Sequence, residues 1–217
     1  MKIHPAGCGI IRNSIYIFVA INVISWLFIP WIFISGLISL TSVVFFILIL
    51  LFFRYPSRMV NKDDSKIFCP ADGTVCLIEE CQETEYLKCN TLKVSIFMSP
   101  LNVHINWVPV RGLVTYLKHK EGQFHAAFKD KSAEENERFS TAIQLQDGRE
   151  IVVKQVAGAV ARRILNFIKP QQNVDQDEEL GFIRFGSRVD IYLPTETKIL
   201  VKLGDKVKGS QTILGEL

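Results

Sequence analysis

The chain has 217 residues, 48% of them apolar and 22% charged, with a formal net charge of +3. The charge is unevenly placed: between Arg12 and Arg54 lie 41 consecutive positions without one charged residue. That run is too long for a cleaved secretory signal, whose apolar core covers about 7–15 residues, and no small-x-small cleavage site follows it.

A single bilayer crossing needs roughly 20 apolar residues, so the run is long enough for two. Pro30 lies near its middle beside Trp31, and Asn22, Ser25, Ser35, Gly36 and Ser39 are mild polar interruptions. The pattern predicts two apolar helices over about 14–29 and 32–53, turning near Pro30, so that residues 1–53 form a membrane-associating segment. Lys2 and Arg12 precede the run, and Arg54 and Arg58 follow it. The positive-inside bias then puts both ends in the cytoplasm as a hairpin, with a re-entrant or interfacial hairpin as the alternative. Arg54, Arg58 and Lys62 are expected to face an anionic leaflet.

Residues 54–217 suit one domain with its own core. Short runs rich in β-branched and aromatic residues predict strands over 74–78, 92–98, 113–117, 141–145, 151–156, 189–193 and 198–203. Asp147-Gly148 is a hairpin signal between two of them. Short helices are expected around Phe124–Phe128 and Val160–Phe167, and Ser132-Ala-Glu-Glu135 resembles a capping box. The polar stretch from Asn173 to Glu179 reads as a solvated acidic loop. The fold class is therefore α+β, a compact β-rich domain behind an apolar helical hairpin.

Five cysteines (Cys8, Cys69, Cys76, Cys81 and Cys89) form no C-x-x-C pair, so they read as reduced structural thiols and no metal site is expected. Two distant pieces, Pro70-Ala-Asp-Gly-Thr-Val75 and Leu203-Gly-Asp-Lys-Val-Lys-Gly-Ser-Gln-Thr-Ile213, together resemble the barrel-like half-domains of biotinyl and lipoyl carriers. No lysine has the Met-Lys-Met or Asp-Lys-Ala flanks of a carrier's modified lysine, so the likeness is one of scaffold.

Gly186-Ser187 lies between two apolar, strand-like runs. It is either a turn or a bond the chain breaks in itself. A serine hydroxyl can attack the preceding carbonyl where the backbone is strained, and glycine leaves that carbonyl sterically open.

Five motifs occur in order: Pro70-Ala-Asp-Gly73, Phe97-Met-Ser-Pro-Leu-Asn-Val-His-Ile-Asn106, Ala133-Glu-Glu-Asn-Glu-Arg138, Val156-Ala-Gly-Ala-Val-Ala-Arg-Arg163 and Gly181-Phe-Ile-Arg-Phe-Gly-Ser-Arg-Val-Asp190. With them the chain closely resembles the short, single-domain bacterial class of phosphatidylserine decarboxylase proenzymes. The resemblance implies self-cleavage between Gly186 and Ser187 into a β chain, 1–186, and an α chain, 187–217. Ser187 would become a covalent pyruvoyl cofactor, with no pyridoxal phosphate and no metal. A Schiff base between that group and phosphatidylserine would carry its decarboxylation to phosphatidylethanolamine. The implied partners are phosphatidylserine in the membrane and the two chains of one precursor, with a homo-oligomer compatible and no nucleic acid. The implied place is the cell membrane, with the catalytic domain on its cytoplasmic side.

His104 has the family position for proton transfer, against the alternative of a structural histidine. Arg184 and Arg188 flank the bond, as partners of the lipid phosphate or as exposed strand charges. In the longer class of the family, the aspartate matching Asp72 joins a second histidine and the serine in a charge-relay triad. Here that second position, three after His104, is Trp107, so the full triad does not carry over: Asp72 has a turn residue as its alternative, and self-processing is expected to rest on other groups, on backbone strain or on His104. Two other readings stand beside this one: a pyruvoyl decarboxylase of another amine, and a non-enzymatic membrane-anchored carrier or adaptor on the biotinyl-like scaffold.

Overall fold

The computed structural model describes residues 2–122, 136–158, 163–184 and 187–217. It divides after Pro56 into two units, each with its own internal packing.

The first unit is a helical hairpin. Helices α1 (Cys8–Phe28) and α2 (Ile32–Phe52) have 21 residues each, about 30 Å, close to the thickness of a bilayer's hydrocarbon core. The turn falls at Pro30, which lacks an N–H to continue a helix. The Ile29 N–H closes α1 on Ser25 O at 3.0 Å, and Trp31 O accepts the first N–H groups of α2. α1 begins at Cys8, earlier than the sequence pattern suggests, and so includes Arg12. Large apolar side chains cover the outer faces of both helices, with Phe33 89% and Phe28 76% exposed. Apolar exposure on this scale is compatible with membrane association. Where the helices face each other, their polar groups find partners. Asn22 Nδ2 donates to Ser42 Oγ at 2.9 Å, Trp26 Nε1 to Ser39 Oγ at 3.0 Å and Ser35 Oγ to Ser25 O at 3.2 Å. Such links hold apolar helices together where no water competes. The hairpin's ends are tied by a two-residue ladder between β1 (Lys2–Ile3) and β2 (Arg54–Tyr55).

The second unit contains β3 (Lys66–Phe68), β4 (Gly73–Gln82), β5 (Asn90–Met98), β6 (Ile105–Trp107), β7 (Gly112–Lys120), β8 (Arg138–Gln144) and β9 (Glu150–Ala157). It continues with β10 (Ile164–Asn166), β11 (Asn173–Val174), β12 (Glu179–Ile183), β13 (Ser187–Leu193), β14 (Lys198–Ile199), β15 (Lys206–Val207) and β16 (Ile213–Glu216). An eight-stranded antiparallel sheet runs β11-β7-β8-β9-β13-β5-β4-β15, and two three-stranded sheets run β10-β12-β6 and β14-β16-β3. Seven strands fall where alternation predicts them, although the last shrinks to Lys198–Ile199. The β8–β9 hairpin turns at Asp147-Gly148, where Gly148 takes φ +88°, a left-handed conformation that a side chain would disfavour.

Two expectations change. The helix expected over Val160–Phe167 is a strand in its described part, since Ile164–Asn166 pairs with Gly181–Ile183. The acidic stretch contains β11 and the start of β12 rather than loop alone. It is tied down because Asp175 is held by both Lys62 and Arg111. The expected helix at Phe124–Phe128 and the capping box at Ser132 lie outside the described residues.

β13 is buried along its whole length because it has strands on both sides and cover on both faces. Val189, Ile191 and Leu193 enter the main core with Ile96, Val94 and Val153. Arg188, Asp190 and Tyr192 point to the opposite face. There Tyr86 and Leu87 pack over Ala142, Val152 and Tyr192.

The cover is pinned by Glu83. Its carboxylate accepts the N–H groups of Glu85, Tyr86 and Leu87 and lies 2.6 Å from Lys154 Nζ. Burial would raise this carboxyl, but Lys154 and the backbone donors outweigh it and hold the group at about 2. A folded value depressed from 4.5 contributes stability that is complete above about pH 4.5 and lost as pH falls towards 2. The size is on the order of 3 kcal/mol. Glu83→Gln should therefore lower the thermal midpoint of the detergent-solubilised protein at pH 7 and flatten its decline between pH 4.5 and 2. An unchanged midpoint and slope would show that this pair does not hold the cover.

Candidate active site

Ser187 is the first residue of β13, opposite Met98 on one side and Ala157 on the other. It is fully buried. Directly opposed residues share a sheet face, so Ser187, Met98, Ala157 and, two positions along, Val189 and Gln155 all face the main core. The Ser187 hydroxyl donates to Met98 Sδ at 3.2 Å. A thioether is a weak acceptor, so this hydroxyl is held in place but not tightly engaged. Phe185 and Gly186, and with them the expected scissile bond, lie outside the described residues.

His104 is fully buried in the segment between β5 and β6, and its backbone carbonyl accepts the Ile183 N–H at the end of β12. Its Nδ1 lies 3.0 Å from Asn102 O. A carbonyl oxygen can only accept, so Nδ1 carries the proton and Nε2 of the neutral ring is the basic nitrogen. Asn102 is itself fixed in the Ser99–Asn102 turn: its Oδ1 accepts the Ser99 N–H and its N–H donates to Ser99 O. The Ser-Pro-Leu-Asn-Val-His motif is thus a rigid turn that sets both the tautomer and the place of its histidine.

Asp72 is bound to a cation and not to a histidine. Arg58 Nη1 and Nη2 meet its two carboxylate oxygens at 2.7 Å each, and the Gly209 N–H donates to Oδ1 at 2.8 Å. Arg58 also donates to Gly209 O and lies 4.2 Å over the Trp107 ring. The tryptophan needs this glycine: a Cβ on Gly209 would come 2.2 Å from the indole. Arg58, with a side chain 9% exposed, is therefore not available to an anionic leaflet. Lys62 is likewise engaged, by Asp175 and Asp177. The sequence did not reveal the Arg58–Asp72 pair, because Gly209, which completes the cluster, is 137 positions from Asp72. Cys69 lies next to this cluster. Burial pushes its thiol up to about 12, so it stays protonated and unreactive.

Arg188 also differs from expectation. It is 3% exposed, on the opposite sheet face from Ser187, with Nε and Nη2 at 2.9 and 3.1 Å from the Asp190 carboxylate. There it lines a recess of about 480 Å³ with Lys93, Arg138, Lys154 and Tyr192. It is neither an exposed strand charge nor placed beside Ser187 on the core face. Among the described residues, no cluster of three or more His, Cys, Asp or Glu could hold a metal ion.

Two buried amides near Ser187, Asn106 and Gln155, escaped the sequence reading. Their only signal was polarity inside runs otherwise destined for the core, Ile105-Asn-Trp107 and Val152-Val-Lys-Gln-Val156.

The comparisons with known proteins cover the whole chain. The sequence model of the phosphatidylserine decarboxylase family matches residues 45–215. A protein of Parabacteroides distasonis named phosphatidylserine decarboxylase proenzyme is 41% identical over 218 residues, which is 100% of this chain and 99% of that protein. Proteins of the same name are 42% identical in Bacteroides fragilis, over 100% of this chain and 96% of theirs, and 40% identical in Cytophaga hutchinsonii, over 100% and 99%. With matches of this extent, the chain belongs to the phosphatidylserine decarboxylase family.

Proposed function

We propose that the protein is a self-processing, pyruvoyl-dependent decarboxylase that converts phosphatidylserine to phosphatidylethanolamine and carbon dioxide in phospholipid biosynthesis. The observation that carries this reading is Ser187 itself. In a chain of this family, the serine after Gly186 is the buried first residue of the central strand, and among the described residues its hydroxyl rests on a thioether.

That placement supports self-processing. Ser187 Oγ bonds to the Gly186 carbonyl carbon as its proton leaves to a base. The amide C–N bond breaks, and its electron pair goes to the Ser187 nitrogen, which takes up a proton. The resulting ester eliminates across Cα–Cβ of residue 187, so Gly186 departs as the carboxylate end of the 1–186 chain. The dehydroalanine left behind takes up water and loses ammonia, and a pyruvoyl group caps the 187–217 chain. No oxidant is needed. The site fits this group: position 187 is enclosed and its hydroxyl is not bound to a charged side chain among the described residues. Once formed, the group supplies the electron sink that decarboxylation of an amino acid headgroup requires and that ordinary side chains lack.

His104 holds the proton inventory. With Nδ1–H pinned to Asn102 O, its Nε2 can accept a proton during self-cleavage or, once protonated, return one to the α-carbon of the product. Asp72 holds the structure. After cleavage, Arg58, Asp72 and Trp107 belong to the large chain and Gly209 to the small one, so the cluster fastens the two. The small chain is also woven in through β13 between β5 and β9, β15 on β4 and β16 on β3, so it stays bound without a peptide link. The meeting of Gly73–Thr74 with Lys206–Val207 supports a scaffold akin to the biotinyl and lipoyl carriers. The two apolar helices would anchor the enzyme to the cell membrane, and the cations at both ends of the hairpin favour the cytoplasmic side.

A denaturing gel of the purified wild-type protein should show two pieces, the smaller with 31 residues, while Ser187→Ala stays at 24.7 kDa and inactive. A single full-length wild-type band, or lipid decarboxylation by Ser187→Ala, would refute the mechanism. His104→Ala should slow processing, turnover or both by about 10²–10⁴-fold; wild-type rates of both would return His104 to a structural role. Asp72→Ala should destabilise by roughly 3–5 kcal/mol, because the Arg58 charge is left buried and unpaired, while folded protein still cleaves itself. Unchanged stability with blocked cleavage would instead make Asp72 part of serine activation.

A further inference from the structure

A line of buried groups ends on the Ser187 hydroxyl. Gln155 Nε2 donates to Asn106 Oδ1 at 2.7 Å. Asn106 Nδ2 donates to Met98 Sδ at 3.5 Å, and the same sulfur accepts from Ser187 Oγ at 3.2 Å. All four side chains are fully buried. Gln155 and Ser187 share a face of the large sheet, whereas Asn106 reaches in from β6 of the small sheet that covers it. The amide pair therefore bridges two layers directly behind the nucleophile.

This arrangement is costly for a purely structural link. Burying amides in an apolar interior is unfavourable unless every polar atom is paired, and Gln155 Oε1 is buried with no partner among the described residues. The backbone beside the pair is also close-packed. Asn106 is opposite Gly181, and a Cβ there would come 2.3 Å from Leu165 O on the neighbouring strand and 2.7 Å from Gln155 Nε2, so strand pairing and the amide both need the glycine. Two apolar side chains would fill the space without an orphaned acceptor. What they could not do is orient a sulfur lone pair. Asn106 fixes the rotamer of Met98, a flexible side chain that packing alone specifies poorly. Met98 in turn takes the Ser187 hydrogen, which leaves the oxygen lone pairs directed away from the sulfur.

We propose that Asn106 and Gln155 are positioning residues for self-cleavage: they hold Met98 Sδ as the resting partner of the Ser187 hydroxyl and so fix the orientation from which Oγ attacks. The inference rests on the Gly186–Ser187 reading. It assigns the orientation of the nucleophile to a neutral amide–thioether relay instead of a carboxylate–histidine pair.

The test follows cleavage of freshly made, detergent-solubilised precursor by gel and mass. Asn106→Leu and Gln155→Leu should each slow cleavage by about ten- to a hundredfold, the cost of misplacing a reacting group. The double variant should be no more than about twofold slower than the slower single one, because both act through Met98. Hydroxylamine, which intercepts esters, should not restore cleavage, since a misaimed hydroxyl forms no ester. Gln155→Glu keeps the shape and guards against misfolding. Its carboxylate cannot donate to Asn106, but its protonated form can. Its rate relative to wild type should be low at pH 8 and recover as pH is lowered. Wild-type rates in the leucine variants, multiplicative losses in the double variant, hydroxylamine-sensitive precursor, or a flat relative pH profile for Gln155→Glu would each overturn the proposal. A wild-type precursor that never cleaves would instead overturn the self-processing reading beneath it.

Discussion

Everything in the catalytic unit depends on β13 being the central strand of its sheet. A strand with neighbours on both edges and cover on both faces is fixed along its whole length. Its first residue, Ser187, is therefore fixed as well. The proposed self-cleavage needs that rigidity. A serine hydroxyl is a poor nucleophile, and it attacks its own preceding carbonyl at a useful rate only when the geometry is imposed. The sheet supplies the frame, and Met98, Asn106 and Gln155 supply the fine orientation. The same burial would keep the C-terminal piece in place once the chain is cut before Ser187 as proposed.

The two faces of β13 separate two kinds of chemistry. The core face carries Ser187 and neutral partners: a thioether, two amides and an apolar floor. The other face carries the charges, with Arg188 on Asp190 and Lys154 on Glu83. Keeping ionised groups off the core face means that a new keto group at position 187 would meet no lysine from the same sheet face that could compete for it.

Much of this was legible in the sequence, because the signals were local. The charge-free run with Pro30 at its centre gave the helical hairpin, β-branched alternation gave most strands, and Asp147-Gly148 gave its turn. Gly186-Ser187 and Ser99–His104 stood out as motifs. What escaped depends on long-range pairing. Ile164–Asn166 became a strand only because β12 offers it an edge, overriding a helical pattern. Arg58 looked like a surface cation until Asp72 and Gly209, from opposite ends of the domain, closed around it. Arg188 looked exposed because its charge, in sequence, shows no sign of Asp190 being its buried partner. Asn106 and Gln155 were visible only as polar residues inside apolar runs, and the reason for them appears once two sheets are stacked.

The central claim is that Ser187 turns itself into the cofactor. The intact mass of the small chain, isolated from the purified wild-type protein under denaturing conditions, tests it most directly. The account predicts a chain covering residues 187–217 that is lighter than its encoded sequence by the loss of ammonia, with a carbonyl at its start that hydride reduces. A small chain that begins with an unmodified serine, or a protein that remains whole, would contradict it.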